Sequence, residues 1–205
     1  MKVIAFNGSP KESGTSAKGI SIMAEQLEKE GISTEIIHVG NKNIQGCLAC
    51  GKCRQAGHCV ITGDPVKECF DKLKGADGII LGCPVYYGGV AGTFKCFLDR
   101  LFFPGPDMKY KVGAAAVSLR RSGGISAFQQ LNNYFYLSQM IITPTAYWSV
   151  AHGNSPEELL RDEEGCQLME IQGRNMAWLI KALALGRKEL PPPAPLERKR
   201  TNFIR

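Results

Sequence analysis

Four of the eight cysteines in this chain fall in one short stretch, "CLACGKCRQAGHC", with the spacing C-x2-C-x2-C-x5-C at Cys47, Cys50, Cys53 and Cys59. Three cysteines set this closely can bring three thiolates to one side of a tight loop, and Cys59 can complete the set. The spacing is typical of a [4Fe-4S] cluster, which four thiolates hold. A structural zinc more often uses two C-x2-C knuckles separated by roughly a dozen or more residues. Gly46, Gly51 and Gly57 ease the turns that such a loop needs. Zinc, a redox disulfide and metal-free thiols stay open as alternatives on spacing alone, and His58 reads as an exposed loop residue. Of the other cysteines, Cys69 reads as core and Cys83 as the end of a strand, while Cys96 and Cys166 have no assignment.

Three further segments carry usable chemistry. In "NGSPKESGTSAKG", residues 7–19, the hydroxyls of Ser9, Ser13, Thr15 and Ser16, the Lys11 ammonium and the backbone amides around Gly14 precede a helix. Unpaired helix amides, the helix dipole and hydroxyl donors together make a phosphate cradle. The pattern is neither a Walker loop nor G-x-G-x-x-G, and a Ser-capped helix start is its plain alternative. In "CPVYYGGVAGTFKCFLDR", residues 83–100, Pro84, Val85, Tyr86, Tyr87, Gly88 and Gly89 suit a flat aromatic ligand. The glycines let backbone approach it and the tyrosines wall it. In "SLRRSGG", residues 118–124, Ser118, Arg120, Arg121 and Gly123 can set cationic donors against developing negative charge, or can be plain surface at a helix start.

Strands and helices alternate around these segments. Residues 2–8, 33–39, 77–83, 111–119 and 140–150 read as strands, the last imperfect because Pro144 must sit at an edge or bulge. Ile20, Met23, Ala24 and Leu27 mark one helix, stopped by Gly31. Val66, Cys69, Phe70 and Leu73 mark a second, with Asp64 as its N-cap and Pro65 in its first turn. Phe94, Phe97, Leu98 and Leu101 mark a third, residues 124–139 a fourth, and Met176, Leu179, Ile180 and Leu183 a closing one. This alternation predicts an α/β fold: one doubly wound domain over residues 1–190, with a parallel sheet covered on both faces. The cysteine loop, 44–64, follows the second strand, and ligands belong beyond the carboxyl ends of the strands. The Pro-rich, basic tail, 191–205, reads as a solvated arm.

Composition narrows the function classes. No apolar run reaches the roughly 20 residues of a membrane helix, and "MKVIAFNGSP" reads as a strand and turn instead of a signal peptide. The expectation is a cytoplasmic protein, whose clustered thiols suggest metal or redox chemistry before disulfides. A net charge of +6 favours anionic partners, yet no nucleic-acid motif accompanies it.

"GSPKESGTSAK" followed by "ADGIILGCPVYYGGVAGTFKCFLDR" resembles the flavodoxin-like NADPH-dependent FMN reductase superfamily. With the four-cysteine loop between them, the chain is similar to the iron-sulfur flavoprotein branch. The resemblance implies a flavodoxin-like five-stranded sheet of order 2-1-3-4-5 carrying FMN. Its phosphate would sit on Ser9, Lys11, Gly14, Thr15 and Ser16, the isoalloxazine against residues 84–89, and the 118–124 loop beside the ring. Family members often carry Asn where this chain has Thr15, and a hydroxyl still donates there. The resemblance further implies a [4Fe-4S] cluster on the four cysteines, and ferredoxin or NAD(P)H as electron donor. It also implies a homodimer or homotetramer, in which residues 100–110 and the tail reach a neighbouring subunit. Two alternatives stand beside this. One is a flavin-only NAD(P)H-dependent reductase of quinones, nitro or azo compounds or free flavin. The other is a non-enzymatic FMN-binding electron carrier.

Overall fold

The computed structural model describes residues 1–197 together with Lys199, Thr201 and Phe203. Of the tail, Arg198, Arg200, Asn202, Ile204 and Arg205 lie outside the described residues. Among those described, the strands are β1 (Lys2–Asn7), β2 (Ser33–His38), β3 (Gly78–Tyr86), β4 (Gly89–Val90), β5 (Val112–Leu119), β6 (Ile141–Ile142) and β7 (Val150–His152). The helices are α1 (Thr15–Lys29), α2 (Cys53–Ala56), α3 (Val66–Leu73), α4 (Gly92–Phe102), α5 (Gly124–Leu137), α6 (Pro156–Leu159) and α7 (Glu163–Glu189).

The sheet runs β2-β1-β3-β5-β6, with β7 also pairing β5; all of these pairs are parallel, and β4 alone folds back antiparallel on β3. The α/β, flavodoxin-like expectation holds, but the five-stranded count does not. The expected fifth strand divides into β6 and β7, one pairing each end of β5. Pro144, which has no N–H for a ladder, lies exposed between them, so pairing with β5 is interrupted there. The additional strand β4 arises because β3 runs on into a hairpin, with Val85 opposite Val90 and Tyr86 opposite Gly89.

Alternation along the central strands divides the core. Val3 and Ala5 of β1 face α1 and α7 with Ile20, Met23, Met169 and Met176. Ile4 and Phe6 face the other layer with Phe70, Phe94, Phe97 and Phe135. Burial on both faces is why these strands read as continuous apolar runs. Gly31 adopts φ +73° after α1, and the Ile32 N–H reaches back to the Leu27 carbonyl at 3.0 Å, so the helix stops at the expected residue. Asp64 departs in part from its expected cap role. Its carboxylate accepts the Val66 N–H at 3.2 Å, while its main partner is the Arg100 guanidinium.

Candidate functional site at the strand ends

Parallel register brings the carboxyl ends of the strands to one edge: Asn7 beside His38 and Gly82, Pro84 beside Ser118, and Leu119 beside His152. The loop from β1 to α1 is organised by side chains that end those strands. Buried Asn7 accepts the Ser9 N–H at 3.0 Å and donates to the Glu12 carbonyl at 3.0 Å. His38 donates from Nε2 to the Ser9 carbonyl at 2.8 Å, and the Lys11 N–H reaches Ser9 Oγ at 3.1 Å. Gly40 makes room for this arrangement, since a Cβ there would lie 2.1 Å from the Ser9 carbonyl oxygen. Sequence reasoning missed Asn7 and His38. The available signal was a polar residue closing an apolar strand at a register-matched position.

Gly14 is the N-cap of α1 and provides no side-chain cap, nor does the first turn carry an acidic residue. Its amides therefore face an end that favours negative charge. Beside that end stand three hydroxyls: Ser16 Oγ lies 2.7 Å from Ser118 Oγ, and Thr15 Oγ1 donates to Ser118 Oγ at 3.1 Å. Ser16 and Ser118 are buried. Ser9, Gly14, Thr15, Ser16 and Ser118 thus share the end of β1 and β5, with the exposed Lys11 on the same loop.

Pro84 to Gly89 form the end of β3 and its hairpin. Tyr87 and Gly88 both have positive φ, +50° and +72°, as a two-residue turn matched to strand twist requires. The turn turns Tyr86 and Tyr87 into solvent. Gly123, at φ +88°, lies against this hairpin so closely that a Cβ would be 3.0 Å from Gly88 Cα and 3.1 Å from Val85 Cγ1. The 84–89 and 118–124 segments are therefore brought together, as two sides of one seat. Arg120 and Arg121 are exposed, and Arg121 with Gly123 lines an adjoining cleft of about 530 Å³ shared with Tyr147, Trp148 and His152. On its far wall His152 donates its N–H to Asp162 at 2.6 Å. Burial opposes the Asp162 charge, but the N–H groups of Gly165 and His152 outweigh it and hold the carboxyl below its usual range.

The cysteine loop leaves β2 at the same edge. Cys47 and Cys50 are exposed, Cys53 and Cys59 half-buried, and all four are free thiols. Cys53 opens the short α2, and Ala49, Gly51 and Gly57 take left-handed conformations around it. No group of three Cys, His, Asp or Glu side chains able to hold a metal stands together among the described residues. The donor types suit an iron-sulfur cluster, whereas the loop does not gather them. Among the described residues, Cys59 alone of the four has a side-chain partner, accepting the Arg100 Nε–H at 3.3 Å. His58 turns to the Ala56 carbonyl at 2.9 Å. Cys69 is buried, as expected of a core residue, and Cys83 is buried within β3; burial pushes each thiol up to about 12. Cys96 lies under the loop, its sulfur 3.7 Å from where a Gly46 Cβ would be. Cys166 bonds the Leu159 carbonyl at 3.3 Å. A cleft of about 740 Å³ opens between the ends of α4 and α5, with Cys47 on its rim beside Phe103 and Leu137. No helix among the described residues is long and apolar enough to cross a membrane.

Residues 1–155 match the family model described as NADPH-dependent FMN reductase. Over 192 residues, covering 89% of this chain and 99% of the relative, the chain is 36% identical to an iron-sulfur flavoprotein of Methanocaldococcus jannaschii. It is 33% identical over 193 residues, 91% of this chain and 99% of the relative, to an iron-sulfur flavoprotein of Methanosarcina thermophila. Among solved structures, RosB with a bound 8-demethyl-8-formylriboflavin-5'-phosphate superposes with a TM-score of 0.71 at 17% identity, over 100% of this chain and 94% of RosB.

Proposed function

Because the chain belongs to the NADPH-dependent FMN reductase family, in its iron-sulfur flavoprotein branch, we propose that it carries electrons between a reduced donor and an acceptor by way of two centres. These are FMN at the strand ends and a [4Fe-4S] cluster on Cys47, Cys50, Cys53 and Cys59. At the coarser level the chain is an FMN-binding, flavodoxin-like redox protein and a flavin-dependent oxidoreductase. The flavin half of this reading is carried by the cradle at α1, where an uncapped helix end meets the hydroxyls of Thr15, Ser16 and Ser118; the cluster half rests on the C-x2-C-x2-C-x5-C spacing and on relatives named iron-sulfur flavoprotein.

In this reading Ser9, Lys11, Gly14, Thr15 and Ser16 bind the phosphate, with hydroxyls and amides donating to its oxygens and Lys11 balancing its charge. Pro84 to Gly89 form the platform for the ring, and Gly123 closes the loop onto that platform. Arg121 stands at the ring side of the cleft, where a guanidinium offsets negative charge gained on reduction. When bound, FMN accepts a hydride as a two-electron unit and the cluster exchanges single electrons, so the pair converts between the two modes. Ferredoxin or NAD(P)H is the proposed donor. Exposed Trp178 and Leu185 on α7, with Phe103 and Leu137 beside the larger cleft, are apolar surface suited to a homodimer or homotetramer.

The ungathered cysteines favour a second reading, a flavin-only NAD(P)H-dependent reductase with metal-free thiols. One assay separates the two: iron and acid-labile sulfide per FMN on protein purified without oxygen. About four of each per flavin, lost in Cys50→Ala, is the expected result. FMN without iron assigns the flavin-only reductase, and a chain without FMN overturns both.

A further inference from the structure

The cleft of about 530 Å³ beside the ring seat has a lining of its own: of the segments assigned above to the flavin, only the 118–124 loop contributes to it. Its volume lies in the range of small-molecule sites. Leu119 and Leu168 give it a buried apolar floor, and the half-exposed Tyr147 and Trp148 stand over that floor with ring centroids 4.3 Å apart, edge to face.

This aromatic pair is held in place from the backbone. The next residue, Ser149, is buried, and its carbonyl accepts the Val117 N–H at 3.2 Å. On the other side, Thr145 donates to the Leu168 carbonyl at 3.3 Å. The segment is thus fastened to β5 and to α7 on either side of two rings that stay in water. A fixed aromatic surface over a concave apolar floor, with a few polar groups converging on it, is the make-up of a ligand site.

The polar groups specify the ligand. Arg121 is exposed at the cleft, and among the described residues no carboxylate pairs with it. Its guanidinium is free to meet an acid group. Asp162 accepts the N–H groups of His152 and Gly165 and lies 3.2 Å from His152 Nδ1. An ionised carboxylate only accepts, so Nδ1 carries the imidazole proton and Nε2 of the neutral ring is an acceptor. Glu164, in the first turn of α7, adds a second acceptor to the lining. The cleft therefore offers one cation, acceptors for a hydroxyl, and aromatic faces for a ring.

We propose that this cleft binds a planar aromatic acid bearing a hydroxyl. Its ring packs against Tyr147 and Trp148, its acid group meets Arg121, and its hydroxyl donates to His152 Nε2.

The test is calorimetric titration of the FMN-loaded chain with p-hydroxycinnamate, with p-methoxycinnamate and with uncharged methyl p-hydroxycinnamate. Bound FMN keeps the probes out of the ring seat. The native chain should bind p-hydroxycinnamate saturably. Trp148→Ala should weaken it about 5- to 150-fold, the range for losing a stacked ring. Arg121→Gln, read at saturating FMN, should weaken the two acids about fivefold and leave the ester unchanged. His152→Phe keeps a ring and removes Nε2, so it should weaken p-hydroxycinnamate about 2- to 10-fold and leave p-methoxycinnamate unchanged. Tyr136→Ala, an exposed aromatic of α5 outside the lining, should change nothing. Absence of saturable binding to the native chain overturns the proposal. So does affinity within about twofold of native in Trp148→Ala, or a probe that binds flavin-free chain and is displaced by FMN, which would place it in the ring seat. A chain that takes up no FMN removes the flavin reading instead, and the same titrations on it still decide the cleft.

Discussion

Replacing Ser16 by alanine tests the phosphate cradle with a single oxygen atom. In the chain as described, that hydroxyl is buried and lies 2.7 Å from Ser118 Oγ. Removing it takes away one neutral hydrogen bond, which is worth about 1 kcal/mol of stability. Thr15 still donates to Ser118 at 3.1 Å, so the remaining hydroxyl keeps a partner and the loss stays near that figure. Toward a phosphate the same hydroxyl makes a charge-assisted bond, worth about 1.5–3 kcal/mol. At 1.4 kcal/mol per decade, the FMN dissociation constant should rise roughly 10- to 150-fold. The assay is a fluorescence titration of flavin-free chain with FMN and, in parallel, with riboflavin, which has the same ring and no phosphate. Ser16→Ala should weaken FMN by that factor and leave riboflavin nearly unchanged. Ser21→Ala, an exposed hydroxyl further along α1, should leave both nearly unchanged. Equal weakening of FMN and riboflavin would refute the reasoning, because the hydroxyl would then serve the ring or the fold and not the phosphate.

Gly123→Ala should weaken riboflavin and FMN alike, since its Cβ would press on Gly88 and Val85 from a backbone at φ +88°. A strained residue of this kind costs about 1–3 kcal/mol, or several degrees in Tm for a chain of this size; an unchanged melt with intact flavin binding would count against the two-sided seat. Glu35→Gln probes pH dependence. Hydrogen bonds from Lys2 and Lys72, at 2.6 and 2.7 Å, hold the Glu35 carboxyl below its usual 4.5. A depressed carboxylate contributes stability that is present above the unfolded value and is lost as pH falls through the folded one. The native chain should therefore outmelt the variant at neutral pH, and the gap should close in acid below 4.5. A gap that persists undiminished there would assign the effect to packing.

Local pattern made most of the scaffold legible. Continuous apolar runs marked β1, β3 and β5, and i, i+3, i+4 spacing marked α1, α3 and α4, because burial on a sheet face or a helix stripe writes its period into the chain. The ends were less legible. Pro144 announced a fault in the fifth strand, but not that Ile141–Ile142 and Val150–His152 would each keep a partner on β5. The Tyr87–Gly88 turn lacked the Asn-Gly or Asp-Gly signal of a tight hairpin. The closing helix extends to Glu163, capped by Asp162 through Gly165 N–H, well before the apolar stripe that advertised it. In the site, the hydroxyls and glycines of the strand-end loops were visible because they cluster just beyond the carboxyl ends of predicted strands, where ligands of such sheets sit. Arg100 was not, since its partners Gln45, Cys59, Ile61 and Asp64 lie 36 to 55 positions away and only the fold brings them together.

Helix α4 joins these two territories directly. It begins at Gly92, two residues beyond the hairpin proposed as the ring platform, and carries Arg100 into the cysteine loop near its other end. Eight residues of helix span about 12 Å and resist stretching. The helix thus acts as a strut of set length between two otherwise loop-built regions, one that insertions in either loop leave unaltered. Lengthening α4 by one residue would advance Arg100 by about 1.5 Å and rotate it by about 100° relative to the hairpin. The platform would keep its shape while the cysteine loop lost its clasp, so the spacing between the two regions is inherited from helix geometry and is insensitive to loop composition.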